Sequence, residues 1–470
     1  YILGGTTIST SGITPALIGA GDVWIVKTDD TGAILWDKIF GGTDYDDLSV
    51  IRQTADGGYI FLGTTASLDS DARENHGGYD MWVVRLDDTG KRLWSKCYGG
   101  TDWEFAGDIL TTPDGGSIIC GMTRSNILNN PGFENAYIIK LDDTGGIQWQ
   151  KLYGGSISEW ANAIRPTSDG GYIVAGGATS TDGQVSINKG LEDYWIFKIT
   201  SIGTFQWGKT YGGNDADYCY SVAPTPDGGY ILAGCTLSTS GDITQFLGSG
   251  QLGYGDIWIV KVDDTGKLQW QRSYGGSDDE NASTIIAAQE GGYTFSGWTV
   301  SADSMVTGHH SYGSDYWIVK IDTTGVIEWQ KDMGGSNNEQ SYYMVQCTDG
   351  GYAMTGYSGS YNFDLTANNG NTDYWLLKIG GFATSIPGLQ NKSENVKVYP
   401  TFSNGIVHID LPVNYEHAQL KLINTLGQEI LIQNTSVPQQ TIDLSSYPQG
   451  MYLLQIIYNK EVHTFKLFRT

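Results

Sequence analysis

Short runs in which apolar and polar side chains alternate recur from residue 1 to about residue 380. In one representative repeat they cover residues 48–53, the stretch that starts at Tyr59, residues 82–85 and residues 93–98. Alternation with a period of two is typical of half-buried strands, and the β-branched and aromatic residues in these runs favour the same structure. The pattern therefore predicts four antiparallel strands in each repeat.

Two glycine-containing sequences separate the runs. Asp-Gly-Gly supplies the positive φ angles of a tight hairpin, and Asp-Asp-Thr-Gly suits a longer turn whose glycine is left-handed. The acidic residue before Gly-Gly recurs about every 58 residues, at Asp56, Asp114, Asp169, Asp227, Glu290 and Asp349. Periods of this length, built from short strands and tight turns, are typical of β-propellers.

The number of blades follows from the strand count. Cutting each blade at its Trp-x-Lys strand gives six complete blades, from 35–86 to 328–379, preceded by two strands within residues 1–27. The chain begins with Tyr-Ile-Leu-Gly-Gly, which matches the middle of a repeat at Tyr230, so we expect further N-terminal residues to complete the first blade. We predict an all-β chain in which residues 1–380 form a seven-bladed β-propeller of four-stranded antiparallel blades, the first of them incomplete.

The repeat stops near Gly380, and the rest of the chain has a different character. Residues 381–395 are predicted to be a linker. Residues 396–470 contain seven short alternating runs separated by turn sequences. This pattern predicts a small immunoglobulin-like β-sandwich.

Charge and composition limit the partners. The net charge is −25, and residues 392–470 carry six basic and six acidic side chains, so all of the excess acid lies in the repeats. Such a surface repels nucleic acid and anionic lipid, so neither is expected as a partner. No apolar stretch approaches the ~20 residues of a membrane-spanning helix. The five cysteines show no paired spacing, and we interpret them as buried free thiols.

Consecutive antiparallel strands place their connections alternately on two faces of the disc. The short turns share one face, and the variable loops 9–21, 67–79, 125–135, 180–192, 238–255, 301–314 and 358–372 share the other. We call the second one the long-loop face. Variable loops on a rigid scaffold are the usual place for binding, so the ligand is expected there.

Twelve of the fifteen tryptophans occupy repeat positions and are interpreted as core. Trp103, Trp160 and Trp298 depart from the repeat and fall on or beside loops of the long-loop face. Exposed aromatic rings stack well on sugars and on partner side chains, so these three are candidate binding residues. The alternative is that they anchor the loops.

Histidine is scarce in the repeats and occurs only in long loops, at His76, His309 and His310. The adjacent pair His309 and His310, with Asp303 and Asp315 nearby, is the candidate for a binding, metal or catalytic role. A solvated loop is the competing explanation.

Carboxylates recur in the loops after Tyr-Gly-Gly. Because they return with nearly every repeat, we interpret them as turn caps that accept backbone N–H groups, although they could also hold Ca²⁺ or act as acid–base pairs. Weak candidates for calcium ligands are Asp69, Asp71 and Asp242, and no other cofactor is expected. No serine elbow, phosphate-binding loop or dinucleotide fingerprint occurs in the sequence.

Several segments of the tail resemble one known family. They are Val396-Lys-Val-Tyr-Pro, Asn404-Gly, Asn424-Thr-Leu-Gly-Gln, Asp443-Leu-Ser-Ser-Tyr-Pro-Gln-Gly-Met-Tyr and Phe465-Lys-Leu-Phe. The tail is similar to the type A C-terminal sorting domain of Bacteroidetes type IX secretion substrates, with Thr401-Phe where that family often has Asn-Pro. The matching positions include Val398, Tyr399, Pro400, Gly427, Gly450, Tyr452 and Lys466. The repeats, in turn, resemble the glycine-rich propeller repeats of such secreted proteins.

The resemblance implies Sec export and passage through the outer-membrane translocon. It usually also implies removal of the sorting domain by the attachment and sortase machinery, with attachment to the cell surface or release. The expected location is therefore the cell surface or the extracellular space.

For function, the sequence favours a non-enzymatic binding or adhesion protein that engages a glycan or a protein through its long-loop face. One alternative is a polysaccharide-active enzyme, a lyase or a glycoside hydrolase, on the propeller scaffold. Another is a purely structural spacer.

Overall fold

The computed structural model describes residues 1–470 except 11–12, 131–132, 186, 249–254, 311–312, 366–367, 369, 381–396, 400–401, 404, 412–416, 425–427, 449, 459–460 and 470. The chain divides into two compact units, Tyr1–Gly380 and Gly381–Thr470. The sequence predicts a linker at 381–395, and that segment lies outside the described residues.

Within the described part of the first unit, seven antiparallel sheets follow one another along the chain. The first sheet has strands β1 to β3, at Ile2–Thr7, Asp22–Thr28 and Ile34–Phe40. The second has β4 to β7, at Asp46–Gln53, Tyr59–Thr65, Asp80–Leu86 and Arg92–Tyr98. The third has β8 to β11, at Glu104–Thr111, Ser117–Thr123, Asn135–Leu141 and Ile147–Tyr153.

The fourth sheet has β12 to β15, at Glu159–Pro166, Tyr172–Ala178, Asp193–Ile199 and Phe205–Tyr211. The fifth has β16 to β19, at Asp217–Pro224, Tyr230–Thr236, Asp256–Val262 and Leu268–Tyr274. The sixth has β20 to β23, at Glu280–Ala287, Tyr293–Thr299, Asp315–Ile321 and Ile327–Met333. The seventh has β24 to β26, at Glu339–Gln346, Tyr352–Ser358 and Asp373–Ile379. The predicted all-β propeller of antiparallel blades is confirmed.

The predicted cut between blades is wrong. Each Trp-x-Lys strand is the last and outer strand of its own sheet and does not open the next blade, as in β3, where Trp36 pairs with Lys27 of β2. The physical reason is that the Asp-Asp-Thr-Gly turn joins neighbouring strands in a tight hairpin, so the strands before and after it must pair. Complete four-stranded blades therefore number five among the described sheets, and the first and last have three strands each.

The ring closes between the first and seventh blades. The rings of Trp24 and Tyr374 lie 5.0 Å apart, and Leu3 and Val26 pack with Leu376 in one hydrophobic cluster. The first strands of successive blades lie side by side around the axis, where Ser49, Asn162 and Ser283 each donate a hydrogen bond to a backbone carbonyl of the next blade. We call β4, β8, β12, β16, β20 and β24 the innermost strands.

The repeated Trp-x-Lys-x-Tyr-Gly-Gly sequence joins neighbouring blades. The hydroxyl of Tyr153 donates to the carbonyl of Gly203 in the Asp-Asp-Thr-Gly-type turn of the next blade, at 2.6 Å. Tyr98 and Tyr274 make the same hydrogen bond to Gly145 and Gly325, both at 2.7 Å. The tyrosine of the motif is therefore a hydrogen-bonding link between blades.

On the short-turn face, the acid of Asp-Gly-Gly and a basic residue of the third strand recur because they form an ion pair. The acid of Asp-Gly-Gly pairs with the base one residue before the end of the third strand, as in Asp114 with Lys140 at 2.8 Å and Asp169 with Lys198 at 2.7 Å. These lysines, together with a threonine hydroxyl two residues before each acid, lower the pKa of both carboxyl groups to about 2. The pair fixes the hairpin against the neighbouring strand.

The second unit is a β-sandwich, as predicted, with two sheets over a common core. One sheet has β27, β29 and β32, and the other has β28, β34, β33, β30 and β31. In chain order β27 to β34 are Lys397–Tyr399, Phe402–Ser403, Ile406–Asp410, Ala418–Ile423, Glu429–Thr435, Gln439–Asp443, Gly450–Tyr458 and Glu461–Arg469. The short strand β28, which pairs in parallel with β34, is absent from the seven strands that the sequence predicts.

Candidate functional site

The start of each innermost strand carries a buried carboxylate on the long-loop face. Its oxygens accept a hydrogen bond from the second glycine of Tyr-Gly-Gly, at 2.7 Å from Gly100 to Glu104 and 2.8 Å from Gly213 to Asp217. The same device recurs at Asp46, Glu159, Glu280 and Glu339. These acids cap turns and accept hydrogen bonds from backbone N–H groups, as predicted from the sequence.

A second buried carboxylate opens the third strand of most blades and faces the first. One oxygen of Asp22, Asp80, Asp193, Asp256 and Asp315 accepts a backbone N–H from the long loop. The other oxygen of each is buried and accepts no hydrogen bond within the described part of the chain. Burial, with nearby Glu280 adding to it, raises the pKa of Asp256 to about 7.

The calcium candidates have other partners. Asp69 accepts the backbone N–H of Thr43 at 2.9 Å, and Asp71 pairs with Arg92. Asp242 pairs with Lys189 and accepts the N–H of Gly212 at 3.1 Å. The three side chains therefore hold loops, and a calcium role for them stays a prediction.

The three candidate tryptophans lie at the long-loop face but in three different blades. Trp103 precedes β8, is 43% exposed, and forms a patch with Tyr79 and Phe105, with the guanidinium of Arg124 5.5 Å from its ring. Trp160 and Trp298 are half-buried residues of strands β12 and β21 rather than of loops. Of the three, only Trp103 is exposed.

Further aromatic residues, which the sequence interpretation missed, stand on the innermost strands around the axis. Tyr342 is 57% exposed and Tyr220 is 38% exposed. Tyr218 stacks on Tyr220, with ring centroids 6.5 Å apart, and Tyr342 contacts Tyr357 at 5.9 Å. We call Phe105, Trp160, Tyr218, Tyr220 and Tyr342 the aromatic collar. The sequence signal was available, because Asp47, Asn281 and Gln340 occupy the positions equivalent to Phe105 in other blades.

A shallow cavity of about 330 Å³ opens on the same face beside the collar. Its lining includes Asn337, Asn338, Tyr357, Asn371 and Thr372. Amide groups next to an aromatic ring can donate and accept hydrogen bonds with hydroxyl groups of a ligand.

A charged cluster joins four innermost strands near the axis. Asp108 of β8 accepts hydrogen bonds from Arg52 of β4, at 2.8 Å, and from Arg165 of β12. The guanidinium of Arg52 also lies 4.9 Å from the ring of Tyr343 in β24. The two arginines outweigh the effect of burial and hold the pKa of Asp108 below its usual value.

The structure brings His309 and His310 together with Asp315, as the sequence suggests, and adds Asp332. The Nδ1 atom of His310 lies 3.0 Å from Asp315 Oδ2, and that of His309 lies 3.5 Å from Asp332 Oδ2. Burial, with Asp315 close by, raises the pKa of Asp332 to about 7. Asp303 takes no part in this group and caps the N–H of Ser277 at 2.9 Å.

The tail matches a known protein family. Residues 397–468 match the family described as the Secretion system C-terminal sorting domain. The second unit is a type IX secretion sorting domain. The sorting domain directs the protein to the type IX secretion machinery and so to the cell surface or the extracellular space, as the resemblance implies.

Of the sorting-domain positions, Val398 and Tyr452 lie in the described core, where Tyr452 donates to the carbonyl of Pro448 at 2.6 Å. Tyr399, Gly450 and Lys466 lie in strands β27, β33 and β34. Pro400 and Gly427 are outside the described residues.

Among curated proteins, regulatory protein FlaEY of Caulobacter vibrioides is 23% identical over 306 residues. The match covers 60% of this chain and 31% of FlaEY, so it spans less than a third of that relative.

Among solved structures, PorZ, a surface component of the type IX secretion system of Porphyromonas gingivalis, is 12% identical with a TM-score of 0.42. That match covers 96% of this chain and 56% of PorZ. A mutant of Synechocystis apocarotenoid oxygenase is 16% identical with a TM-score of 0.38, covering 68% of this chain and 69% of that chain. At these levels the similarity carries no functional information.

In the described part of the chain, no helix is long and apolar enough to cross a membrane.

Proposed function

We propose that this exported propeller is a binding or adhesion protein that engages a neutral glycan through the aromatic collar of its long-loop face. The observation that carries the proposal is the exposure of aromatic side chains on innermost strands, where Tyr342 is 57% exposed and Tyr220 and Phe105 are each 38% exposed. Flat aromatic rings held by a rigid sheet offer stacking surface at a small entropic cost.

The surroundings support a glycan as the ligand. The cavity beside Tyr357 is lined by three asparagines and a threonine, whose amides and hydroxyl can bond to sugar hydroxyls. The net charge of −25 disfavours an anionic polysaccharide. A protein ligand is the other class that such a surface can accept, and it is an outcome of the test.

The test is binding of the full chain to an array of neutral and charged glycans, followed by titration with the strongest ligand. We expect Tyr342→Ala in the collar and Trp103→Ala, whose ring contacts Phe105 of the collar, each to weaken binding about tenfold, which corresponds to about 1.4 kcal/mol. The matched control is Ile202→Ala, because Ile202 is 67% exposed but lies in a turn of the opposite face.

Several results would count against the proposal. Unchanged affinity in both aromatic variants would place the ligand elsewhere, and binding of proteins alone would replace the ligand class. Turnover of the bound glycan that is lost in His309→Ala would establish a polysaccharide-active enzyme instead. Absence of any ligand would leave a structural spacer.

For the sorting domain, we propose that it is removed after export and that the propeller is then attached to the outer membrane or released. Residues 397–468 support this proposal, because they match the sorting-domain family. The mass of the protein recovered from the cell surface tests it. A surface protein that retains residues 397–468 would contradict it.

A further inference from the structure

A cluster of two histidines and two aspartates lies on the long-loop face of the sixth blade. His309 and His310 belong to the loop before β22, Asp315 opens β22, and Asp332 is the sixth residue of β23. We propose that these four residues bind one divalent transition-metal ion of the Zn²⁺ class. This inference does not depend on glycan binding.

The distances match such an ion. The Nδ1 atom of His309 lies 3.4 Å from Asp315 Oδ2 and 3.5 Å from Asp332 Oδ2. One ligand atom from each of these three residues lies within 4.8 Å of the others. Ligands that bond a tetrahedral ion at zinc-like lengths are separated by roughly 3.3–3.6 Å. The separations of 3.4 and 3.5 Å fall in the range expected for two edges of such a tetrahedron.

The imidazole of His310 is the fourth proposed ligand. The Nδ1 atom of His310 lies 3.0 Å from Asp315 Oδ2 and 3.6 Å from Asp332 Oδ1. Its ring is held by the side chain of Phe363, whose centroid is 5.1 Å away.

Burial gives an independent reason for a cation. The side chains of Asp315 and Asp332 have 0% exposure, and that of His309 has 2%. Oδ1 of Asp315 and both oxygens of Asp332 are buried and accept no hydrogen bond from the described residues. Carboxylate oxygens held together away from water are costly unless a positive charge compensates them, and a bound divalent ion supplies that charge.

The position of Asp332 also departs from the repeat. The equivalent outer-strand position holds Ile39, Cys97, Leu152, Thr210 and Ser273 in the other blades. The turn-capping acids return with every innermost strand because the turn returns, whereas this acid occurs once. A residue that the repeat does not require, buried against two histidines, indicates a local role rather than a scaffold role.

The ligand set selects the class of ion. Imidazole and carboxylate together suit Zn²⁺ and its neighbours in the transition series. Ca²⁺ and Mg²⁺ prefer oxygen ligands alone, and in larger number, so they fit this group poorly. A bound ion would tie His309 and His310 to β22 and β23.

The test is metal binding by the full chain after removal of metals with a chelator. We expect titration calorimetry with Zn²⁺ to give one tight site and the midpoint of thermal unfolding to rise by on the order of 3 °C at saturating ion. Asp332→Asn has almost the same volume and should weaken binding at least about 100-fold. It should not lower the unfolding temperature of the metal-free protein, since it removes a buried negative charge.

The matched control is His76→Ala. His76 contacts Asp80 at 2.6 Å in the equivalent loop of another blade. In that blade Cys97 occupies the position of Asp332. This variant should bind Zn²⁺ as the wild type does. The proposal is overturned if the wild type binds no Zn²⁺, if Asp332→Asn binds it equally well, or if Ca²⁺ binds this site more tightly than Zn²⁺.

Discussion

At the scale of single residues, a tyrosine precedes Gly-Gly in four of the six motifs, and its hydroxyl bonds to the next blade in each; Phe40 and Met333 stand there in the other two. Tyr153 is 3% exposed, and its hydroxyl reaches the carbonyl of Gly203 in the next blade. A phenylalanine would fill the same space but leave that carbonyl without its donor. Leaving a buried acceptor unsatisfied costs more than the hydrogen bond itself contributes.

We predict that Tyr153→Phe lowers the free energy of unfolding by about 1.5 kcal/mol. Urea unfolding followed by tryptophan fluorescence measures the change. The control is Tyr361→Phe, since Tyr361 is 69% exposed and its hydroxyl can bond to water in both states. Equal effects of the two substitutions would show that the link between blades adds nothing.

A second prediction at the residue scale concerns the paired buried carboxylates of the long-loop face. Burial raises the pKa of Asp256 from 3.8 to about 7 in the folded protein. The folded state therefore favours the neutral form, so the contribution of this group to stability is complete below about pH 4 and is lost as the pH rises through 7.

Asp256→Asn stays neutral at all pH values, as Asn135 does at the equivalent position of another blade. We expect the variant to match the wild type at pH 4 and to be more stable at pH 8, by on the order of 2 kcal/mol. Urea unfolding at the two pH values measures this. A stability difference that does not change with pH would contradict it, and Asp44→Asn in an exposed turn serves as the control.

At the scale of elements, the contacts between innermost strands hold neighbouring blades together. The charged cluster of Arg52, Asp108 and Arg165 connects three of them, and Asp108 is 4% exposed. Two arginines that share one buried carboxylate depend on its charge.

We predict that Asp108→Asn lowers the free energy of unfolding by about 3 kcal/mol, because it leaves two guanidinium groups without a counter-charge. Replacing all three together, as Asp108→Leu with Arg52→Met and Arg165→Met, should cost less than the single change. Urea unfolding of both variants measures the comparison. A triple variant that is less stable than Asp108→Asn would show that the charges stabilise the strands beyond their mutual compensation.

The innermost strands also show the limit of sequence patterns. Each contains a register shift, between Leu48 and Val50 in β4 and between Ser341 and Tyr343 in β24. An extra residue in a strand reverses the alternation of its side chains. For this reason the exposed faces of Tyr220 and Tyr342 could not be assigned from alternation alone.

The sorting domain acts at the scale of the whole molecule. Its core is formed by its own strands, and residues 397–468 match the sorting-domain family. Since this unit directs the protein to type IX secretion, its loss should affect location rather than the fold of the propeller.

We predict that deletion of residues 397–468 prevents the protein from reaching the surface of a type IX-competent cell. Protease accessibility on intact cells measures this, with cell fractionation as a second readout. The control is Val437→Ser at an exposed tail position, which should be exported normally. Surface exposure of the deleted form would show that another part of the chain directs export.

The sequence by itself determined the strands, their turns, the propeller and the identity of the tail, because these depend on local alternation, on glycine at fixed turn positions and on short motifs. It also pointed to His309 and His310, since rare residues in a regular repeat are visible without coordinates. Only the tertiary structure decided which strand closes each blade, which aromatic rings surround the axis, and that Asp332 meets the two histidines. These depend on pairing across hairpins, on register shifts and on contacts between strand and loop, which local sequence does not encode.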